Sequence, residues 1–272
     1  MMKKSSALFS LPLCILTTSD AVPKRYRGIW QRSLLETALL RDTDTTVFWL
    51  QSAYWHADIR IPPGMPDFSN VRALADCDPV QLAWLARQQG FAGRTELSIT
   101  ETAEVCQWHR RLDFHPSTGI ADIGDMQFEA ELLLETGLDG AYLEHWNRLP
   151  DSSDGFAVLQ LLAPDDHSAA PAQVLFIAGD YVMHVKGRSI DWPEASTHAA
   201  RLALLAASKA LLDFEISFGR RTLNGWTTLH STLPWLIGST VTLGFGPRLG
   251  KEMTLTIDTV AQNWKILEWD FA

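Results

Sequence analysis

The chain has 272 residues, of which 46% are hydrophobic and 20% are charged, and its formal net charge at pH 7 is -9. This composition excludes a disordered chain, and the length is sufficient for one large domain or two ordinary ones. The excess of acidic residues argues against nucleic acid and anionic membranes as partners, because both require basic patches. A cationic or neutral partner is favoured.

Residues 1–24 are predicted to form an N-terminal extension. Lys3 and Lys4 precede a short apolar run, and Ser19-Asp20-Ala21 has the small-x-small spacing of a signal-peptide cleavage site, so residues 1–21 resemble a secretory signal in outline. Pro12 and Cys14 interrupt that run, which argues against a signal. We therefore expect a cytoplasmic protein, with export as the alternative.

The cysteines also favour the cytoplasm. Cys14, Cys77 and Cys106 have no paired spacing, so the sequence predicts neither a disulfide framework nor a zinc site. No apolar run approaches the roughly 20 residues that a membrane-spanning helix needs. The sequence therefore gives no indication of a transmembrane segment.

Three strand-like segments follow the extension: Gly28–Thr37, Thr45–Gln51 and Tyr54–Pro62. In the first, the two-residue alternation of a strand predicts that Arg32 and Glu36 share a face with Trp30. Together the three segments indicate the first sheet of a β-barrel.

The third of these segments has one apolar face and one polar face. The polar face consists of Tyr54, His56, Asp58 and Arg60. Such a face borders either water or a polar cavity, and for one strand taken alone the pattern favours water.

Three blocks in these strands carry a family resemblance: Gly28-Ile29-Trp30-x-Arg32-x-Leu34-Leu35-Glu36-Thr37, Val47-x-Trp49-Leu50-Gln51 and Asp58-Ile59-Arg60-Ile61-Pro62. They are similar to the lipocalin-like (calycin) two-barrel family, whose fungal members are known as casein-kinase-interacting proteins. The similarity continues through Gln88–Gly93, Trp108–Phe114 and Glu144–Trp146, and it covers most of the first half of the chain.

This resemblance implies an intracellular protein with a pair of barrels, and it supplies no established catalytic residues. Some bacterial proteins that resemble the family bind precursor peptides and guide their modification in pathways that make natural products from ribosomal peptides. The resemblance therefore implies a peptide-binding role.

The rest of the first half is predicted to contain one helix and five more strands. Asp78 is placed to cap the helix, with Pro79 at its first position and Gly90 at its end. The strands are predicted at Arg94–Ile99, Ala103–Phe114, Asp122–Ala130, Leu132–Thr136 and Ala141–Arg148. The polar run Leu149–Gly155 is predicted to be a flexible linker, which places the first barrel at residues 25–149.

The second half, residues 156–272, repeats this order. Strands are predicted at Phe156–Ala163, Gln173–Ala178 and Tyr181–Gly187, then at Glu215–Arg221, Trp226–Leu233, Ser239–Phe245, Glu252–Thr259 and Asn263–Phe271. A helix from Thr197 to about Asp213, capped by Ser196, separates the two groups. The predicted fold is mostly β: two lipocalin-like antiparallel β-barrels, each with one helix, arranged as an internal duplication.

Catalytic and metal-binding motifs are not apparent. The eight histidines have no H-x-H or H-x-x-x-H spacing, and the sequence contains no nucleophile-elbow, Walker or Rossmann motif. Adjacent Ser231 and Thr232, near His230, point to opposite faces of a strand, so we interpret them as structural. We expect no cofactor and no metal.

Carboxylates and arginines recur together in the aromatic strands. Glu36, Asp58, Asp113 and Glu144 lie in the strands that carry Arg32, Arg60, Arg110 and Arg148. This pattern is typical either of buried structural ion pairs, which are the commoner case, or of a polar binding cavity.

Tryptophan is the outlying residue type, with 11 copies. A buried indole N–H needs a partner, so these residues favour either a groove or cavity wall or a wide barrel core. The candidate ligand-binding residues are Trp30, Arg32, Trp49, Gln51, Asp58, Arg60, Trp108, Arg110 and Trp146.

The function we predict is that of a non-catalytic binding protein that holds an extended precursor peptide through a strand edge and aromatic pockets and assists its modification. Its expected partners are that peptide substrate and, as an alternative, the modifying enzyme itself; a homodimer is also left open. Two other functions stay open: a barrel-cavity enzyme of the cyclase or isomerase kind, and a carrier of a small apolar ligand.

Overall fold

A computed structural model describes residues 21–100, 103–162, 172–194 and 197–271. The predicted signal segment, Cys14 and the predicted helix cap Ser196 lie outside the described residues. Among the described residues, no helix is both long enough and apolar enough to cross a membrane.

The first half forms one sheet of nine antiparallel strands. These are β1 (Gly28–Thr37), β2 (Arg41–Asp42), β3 (Thr46–Gln51), β4 (Trp55–Ile61), β5 (Gln89–Ile99), β6 (Glu104–Asp113), β7 (Asp122–Glu129), β8 (Leu132–Gly137) and β9 (Tyr142–Arg148). β1 pairs with both β3 and β9, so every strand except the short β2 belongs to a closed barrel, which we call the first barrel.

The second half forms another sheet of nine strands, the second sheet. These are β10 (Phe156–Leu161), β11 (Gln173–Ala178), β12 (Tyr181–Lys186), β13 (Glu215–Thr222), β14 (Gly225–Ser231), β15 (Thr240–Val241), β16 (Leu243–Leu249), β17 (Glu252–Ile257) and β18 (Val260–Trp269). β10 pairs with β11 and β18 as β1 pairs with β3 and β9, which is the repeat that the sequence predicted.

The second sheet curls but stays open among the described residues. In the first barrel, β6 pairs with β7, whereas the corresponding edge of β14 pairs with the two-residue β15 through Trp226 opposite Val241. Because β15 takes the hydrogen bonds of that edge, β16 has no place beside β14 and lies at the far end of the sheet. The predicted mostly-β fold with two barrel-like halves is confirmed, and the second half is a half-barrel.

The two sheets pack outer face against outer face. Apolar side chains of β1, β3 and β4 meet those of β10 to β13 in one continuous hydrophobic cluster, which we call the shared core. Phe48 stacks on Phe218 with ring centroids 4.3 Å apart, and Tyr181 stacks on the other side of Phe218. Polar bonds seal the edge of this contact: the carboxylate of Glu268 accepts from the N–H groups of Ala53 and Tyr54.

The helices fill the margins of the shared core. α1 (Pro79–Leu85) has the predicted cap, since Asp78 accepts from the N–H of Gln81 at 2.8 Å. It ends at Leu85, before the predicted stop, because Gly90 belongs to β5. Trp84 and Leu85 are its buried residues.

The predicted long second helix is divided in two. α2 (His198–Ala207) is capped by Thr197, and α3 (Lys209–Leu212) follows after Ser208, whose backbone is extended. The Ser208 carbonyl accepts from Leu211 and so starts a new turn where a continuous helix was expected. The second half therefore has two short helices where one was predicted.

The predicted linker is fixed in place. Ser152 is fully buried, accepts from the N–H of Ile29 at 3.1 Å and donates to the carbonyl of Leu149 at 2.7 Å. The carbonyls of Asp151 and Gly155 accept from the β11–β12 turn. The prediction of a flexible linker is wrong, because the Ser152 side chain bonds to the first half and the backbone carbonyls of Asp151 and Gly155 bond to the second. The domain limits 25–149 and 156–272 stay predictions.

The shared core predicts that the two halves unfold together. Phe218→Ala should destabilise the protein by about 3 to 5 kcal/mol, since it removes an aromatic side chain from the middle of that core. Leu223→Ala, at a fully exposed turn position, is the matched control and should change stability by less than about 0.5 kcal/mol. Denaturant unfolding followed by tryptophan fluorescence should show one transition; two transitions, with only one shifted by the substitution, would contradict this.

Candidate binding cavity in the first barrel

A cavity of about 350 Å³ opens at one end of the first barrel. Its aromatic lining consists of Trp49, Phe91, Trp108, Tyr142 and Trp146, and its charged lining consists of Asp58, Arg60, Arg110, Asp122, Glu135 and Glu144. Leu35, Thr37 and Ala141 complete it. The cavity is therefore both aromatic and charged, unlike the apolar interior of a simple barrel core.

The opposite end of the barrel is closed by the turn Lys24–Tyr26. Tyr26 is buried, donates its hydroxyl to Glu104 and packs edge-on against Phe128. Trp30 donates its indole N–H to the Tyr26 carbonyl at 2.7 Å. In the part of the chain that the structure describes, a ligand therefore has one evident entrance, at the charged end.

A β-bulge in β1 decides which side chains face the cavity. The pairing with β9 shifts between Arg32 and Leu34, so the alternation changes phase at Ser33. Arg32 pairs opposite Trp146 and faces inward, whereas after the bulge Leu35 lines the cavity and Glu36 is exposed. The prediction that Glu36 shares a face with Trp30 and Arg32 is wrong for this reason.

Asp58 and Arg60 form the ion pair that their spacing suggested. Arg60 Nε donates to Asp58 Oδ1 at 2.9 Å, and Asp58 is 2% exposed. Burial raises the pKa of Asp58, and the Arg60 guanidinium opposes that shift. The polar face of β4 therefore borders a cavity, although the strand taken alone favoured water.

Glu144 joins this pair to Arg32. Its Oε1 accepts from Arg32 Nη1 at 2.6 Å and lies 3.7 Å from Arg60 Nη1. Arg32 also donates to the Asp42 carboxylate at 2.8 Å. Arg148 lies four residues from Glu144, about 13 Å along a strand, and pairs weakly with Glu131 instead. The paired charges within the barrel thus form one network, in which each buried charge has the oppositely charged partner that it requires.

Glu135 is a buried carboxyl with a strongly raised pKa in the cavity. It lies directly opposite Glu144 across the β8–β9 ladder and is 5% exposed. Burial, and then the charge of Glu144, raise its pKa to about 8, while the hydroxyl of Tyr142, which donates at 2.7 Å, opposes the shift. Trp146 Nε1 donates to its other oxygen at 3.2 Å. At neutral pH this carboxyl is largely protonated.

Arg110 stands at the entrance. It donates to Asp122 at 2.7 Å and to Asp113 at 3.2 Å, and its guanidinium lies 3.6 Å from the centroid of the Phe91 ring. Cation–π contact and two carboxylates hold this exposed side chain over the mouth.

The indole of Trp49 carries an unsatisfied donor. Trp49 is 2% exposed, stands edge-on to both Trp108 and Trp146 at centroid distances of 5.7 Å, and its Nε1 has no hydrogen-bond partner among the described residues. Buried polar groups are normally bonded, and this N–H is inaccessible to solvent although other parts of the Trp49 side chain line the cavity.

Gln51 belongs to a polar chain deeper in the barrel. Its amide N–H groups bond to the carbonyls of Ser52 and Trp55, and its Oε1 accepts from the Thr95 hydroxyl at 2.8 Å. Thr95 must then accept from His56 Nδ1, 3.0 Å away, which leaves His56 Nε2 as a buried acceptor without a described partner. Burial lowers the pKa of His56 to about 3, so the ring is neutral.

The structure therefore brings six of the nine predicted binding residues to the cavity wall: Trp49, Asp58, Arg60, Trp108, Arg110 and Trp146. Arg32 lies behind the wall, bonded to Glu144, while Trp30 and Gln51 lie deeper and do not line the cavity. Their role in ligand binding stays a prediction.

Sequence reasoning did not select Phe91, Asp122, Glu135 or Tyr142. For Glu135 a signal was present in the run Leu132-Leu133-Leu134-Glu135, where a single acid follows three apolar residues. An acid in such a strand faces the barrel interior only if that interior is polar. For Asp122 and Tyr142, which begin their strands, the sequence does not indicate whether the side chain turns inward.

The serine and threonine pair at the end of β14 makes structural hydrogen bonds. Ser231 Oγ lies 3.0 Å from Ser217 Oγ, and Thr232 Oγ1 donates to the Phe214 carbonyl at 2.7 Å. The His230 ring contacts both Phe48 and Phe218. In the part of the chain that the structure describes, no group of three or more His, Cys, Asp or Glu is placed to hold a metal ion.

The ion-pair network predicts an asymmetric response to substitution. Arg60→Ala should destabilise the protein by about 3 to 5 kcal/mol, because it leaves buried Asp58 without its cation, and Asp58→Ala by less, because Arg60 keeps Glu144. The matched control is Arg41→Ala, which breaks the exposed pair with Glu36 and should cost about 0 to 1 kcal/mol. Equal losses of unfolding free energy for Arg60→Ala and Arg41→Ala, measured by denaturant unfolding, would contradict the network.

The pKa of Glu135 predicts a pH-dependent effect of Glu135→Gln. Between its ordinary value of 4.5 and about 8 the folded protein holds a proton that the unfolded chain releases, so this carboxyl stabilises the fold less as pH rises. The substitution removes that dependence. The stability of the variant, followed through its melting temperature, should therefore rise relative to that of the wild-type protein between pH 5 and pH 9, by on the order of 1 kcal/mol or more. Glu129→Gln, at an exposed position, is the control. If the melting temperatures of both variants depended on pH in the same way, the raised pKa of Glu135 would be refuted.

Comparisons with known proteins address the fold. No protein-family model matches the chain, and no curated protein matches it. Among solved structures, it is similar to the crystal structure of an uncharacterized protein from Saccharomyces cerevisiae, YLR301w, with a TM-score of 0.52 and 12% sequence identity over 89% of this chain and 98% of that chain. At this identity the likeness shows the fold alone. Together with the closed first barrel, it shows that the chain has a lipocalin-like barrel fold.

Proposed function

We propose that this protein is a non-catalytic binding protein whose ligand enters the cavity of the first barrel. The observation that carries the proposal is the lining of that cavity, in which three indoles stand beside two arginines and four carboxyl groups. Rigid aromatic faces combined with a few convergent polar groups are typical of a ligand site.

The charges of the cavity favour a polar ligand over an apolar one. Asp58, Glu144, Arg60 and Arg110 line it, and an apolar ligand would remove water from these groups without replacing the lost hydrogen bonds. The indoles supply rigid contact area, while the ion pairs select orientation. The carrier of a small apolar ligand, which the sequence left open, therefore has less support than a binding protein for a polar ligand.

The cavity has better support than a strand edge as the binding place. The first barrel is closed, so among the described residues a peptide can add as a strand only beside the two-residue β2 or at the ends of the second sheet. β15 has two residues, and β16 contains Pro247 and a bulge between Phe245 and Arg248, which are features that oppose edge pairing. A peptide ligand is better accommodated by a terminus or side chain that enters the cavity.

The finer assignment follows the sequence resemblance. We include in the proposal membership of the lipocalin-like two-barrel family of fungal casein-kinase-interacting proteins, and a role in holding a precursor peptide during its modification in a natural-product pathway. The barrel fold is compatible with both.

A barrel-cavity enzyme is the second candidate. The observation in its favour is the pair Glu135 and Glu144: two carboxyls on one wall, of which the first is held protonated near neutral pH while the second is bonded to Arg32. Such a pair can donate and accept protons on one substrate, as an isomerase or cyclase requires.

Ligand screening tests the proposal. Purified protein should gain thermal stability with a subset of a library of polar metabolites and short peptides, and titration calorimetry should give micromolar or tighter affinity. Ala141→Trp, at an exposed position of the entrance, should abolish this binding by filling the mouth, whereas Ala261→Trp, exposed on β18, should leave it intact.

Two results would change the conclusion. Equal binding by both tryptophan variants would place the ligand outside the cavity. Mass spectrometry of the recovered ligand should show unchanged mass and connectivity after long incubation; conversion with many turnovers per protein would establish the enzyme instead.

A further inference from the structure

Glu135 differs from the other carboxylates that line the cavity. Each of the others has an arginine partner: Asp58 with Arg60 at 2.9 Å, Glu144 with Arg32 at 2.6 Å and Asp122 with Arg110 at 2.7 Å. Glu135 has no ion-pair partner among the residues that the structure describes, and it accepts only from the Tyr142 hydroxyl and the Trp146 indole. It is the one lining carboxyl, in the described chain, without an arginine at ion-pair distance; Arg60 acts on it only at longer range.

The wall around Glu135 is aromatic. Trp146 bonds to the carboxyl itself, and Trp49 stands edge-on between Trp146 and Trp108. Indole faces attract organic cations, and an unpaired carboxylate beside several indoles is the arrangement that recognises ammonium groups. The cations already present, Arg60 and Arg110, are each shared between two carboxylates and do not fill this place.

We propose that the first-barrel cavity binds an organic ammonium ion and that Glu135 is its counterion. The inference rests on the proposed binding function and names the chemical class of the ligand. The cation can belong to a free small amine or to an amino group of a peptide, such as a lysine side chain. The protein's net charge of -9 favours the approach of a cation.

Binding should release a proton. The groups that face Glu135 are Glu144 and Tyr142 on β9, Asp122 on β7, Cys106 on β6 and Arg60 on β4. Burial and Glu144 raise the Glu135 pKa to about 8, so at pH 7 the carboxyl carries a proton. An ammonium ion pairs with the ionised form, and the proton leaves to solvent. Affinity should therefore rise about tenfold per pH unit up to about pH 8 and level off above it.

A purely structural role for Glu135 makes different predictions. Its two hydrogen bonds fix Tyr142 and Trp146, and in that case the carboxyl would stay protonated whatever occupied the cavity. No ligand would then prefer a positive charge, and binding would release no proton. The sign of the ligand's charge, with shape held constant, separates the two roles.

Choline and its neutral isostere 3,3-dimethyl-1-butanol are the probes. They share shape and hydroxyl acceptor and differ in the charge of the quaternary centre. Titration calorimetry of the full chain at pH 7 and pH 9, each in two buffers of different ionisation enthalpy, should show choline binding at least about tenfold tighter than the isostere, with a proton released at pH 7 and almost none at pH 9.

Glu135→Gln keeps an acceptor for Tyr142 or Trp146 and removes the charge. It should weaken choline at least about tenfold, leave the isostere unchanged and abolish proton release. If the variant fails to fold, proton release is judged from the wild-type protein alone, through the dependence of its choline-binding heat on the buffer. Equal affinity for both probes, or no proton release, would overturn the inference while leaving cavity binding intact. Absence of choline binding at millimolar concentration would also overturn it, and the library screen then decides the proposed function separately.

Two further titrations identify the source of the cation. N-acetyl-lysine-methylamide and its norleucine counterpart present the same backbone with and without a side-chain amine. Preference for the lysine compound over choline would indicate a peptide amino group, and the reverse a free amine. Preference for the norleucine compound would contradict a role for the charge.

Discussion

The packing of two curved sheets outer face to outer face is the constraint on which the rest of the molecule depends. In an isolated barrel, outward side chains meet water and inward ones form the core. Here the outward side chains of β3 and β4 are buried in the shared core, which includes Phe48, Ala57 and Ile59. Hydrophobic stabilisation is therefore available outside the first barrel, and its interior can hold charges and an open volume.

A charged interior is stable only because its members compensate one another. Arg32 and Arg60 converge on Glu144, and Asp58 completes the group, so each charge that leaves water meets an opposite one within 4 Å. Such an arrangement contributes little net stability compared with apolar packing. Removal of one member, however, leaves its partners as uncompensated charges in a low-dielectric interior. The network thus holds the cavity open and resists its collapse into an ordinary apolar core.

The sequence was sufficient for the repeated order of strands, the cap of α1 at Asp78 and six residues of the cavity wall. These features follow from local rules: two-residue alternation, cap chemistry and turn residues. It was insufficient where a local rule was overridden by pairing. The bulge at Ser33 depends on how β9 lies against β1, and the opening of the second sheet depends on β15 taking the edge of β14.

Glu135 was missed for a related reason. Its significance comes from facing Glu144 across two strands and from having no arginine beside it, and both are properties of the closed sheet. The linker was misjudged because the polar residues near Ser152 are typical of exposed loops, while their bonds to Ile29 and to the β11–β12 turn become visible only in the folded chain.

The bulge at Ser33 also has an evolutionary consequence. It accommodates one extra residue between Arg32 and Leu34, while their partners Trp146 and His145 stay consecutive. Loss of Ser33 would therefore restore regular alternation and keep Leu35 at the mouth, whereas the same strand without its bulge would turn Leu35 outward and bring the carboxylate of Glu36 into the mouth. The bulge, rather than the chemistry of any one side chain, sets the charge of the entrance, and related barrels can acquire a different ligand preference by gaining or losing a bulge at constant strand length.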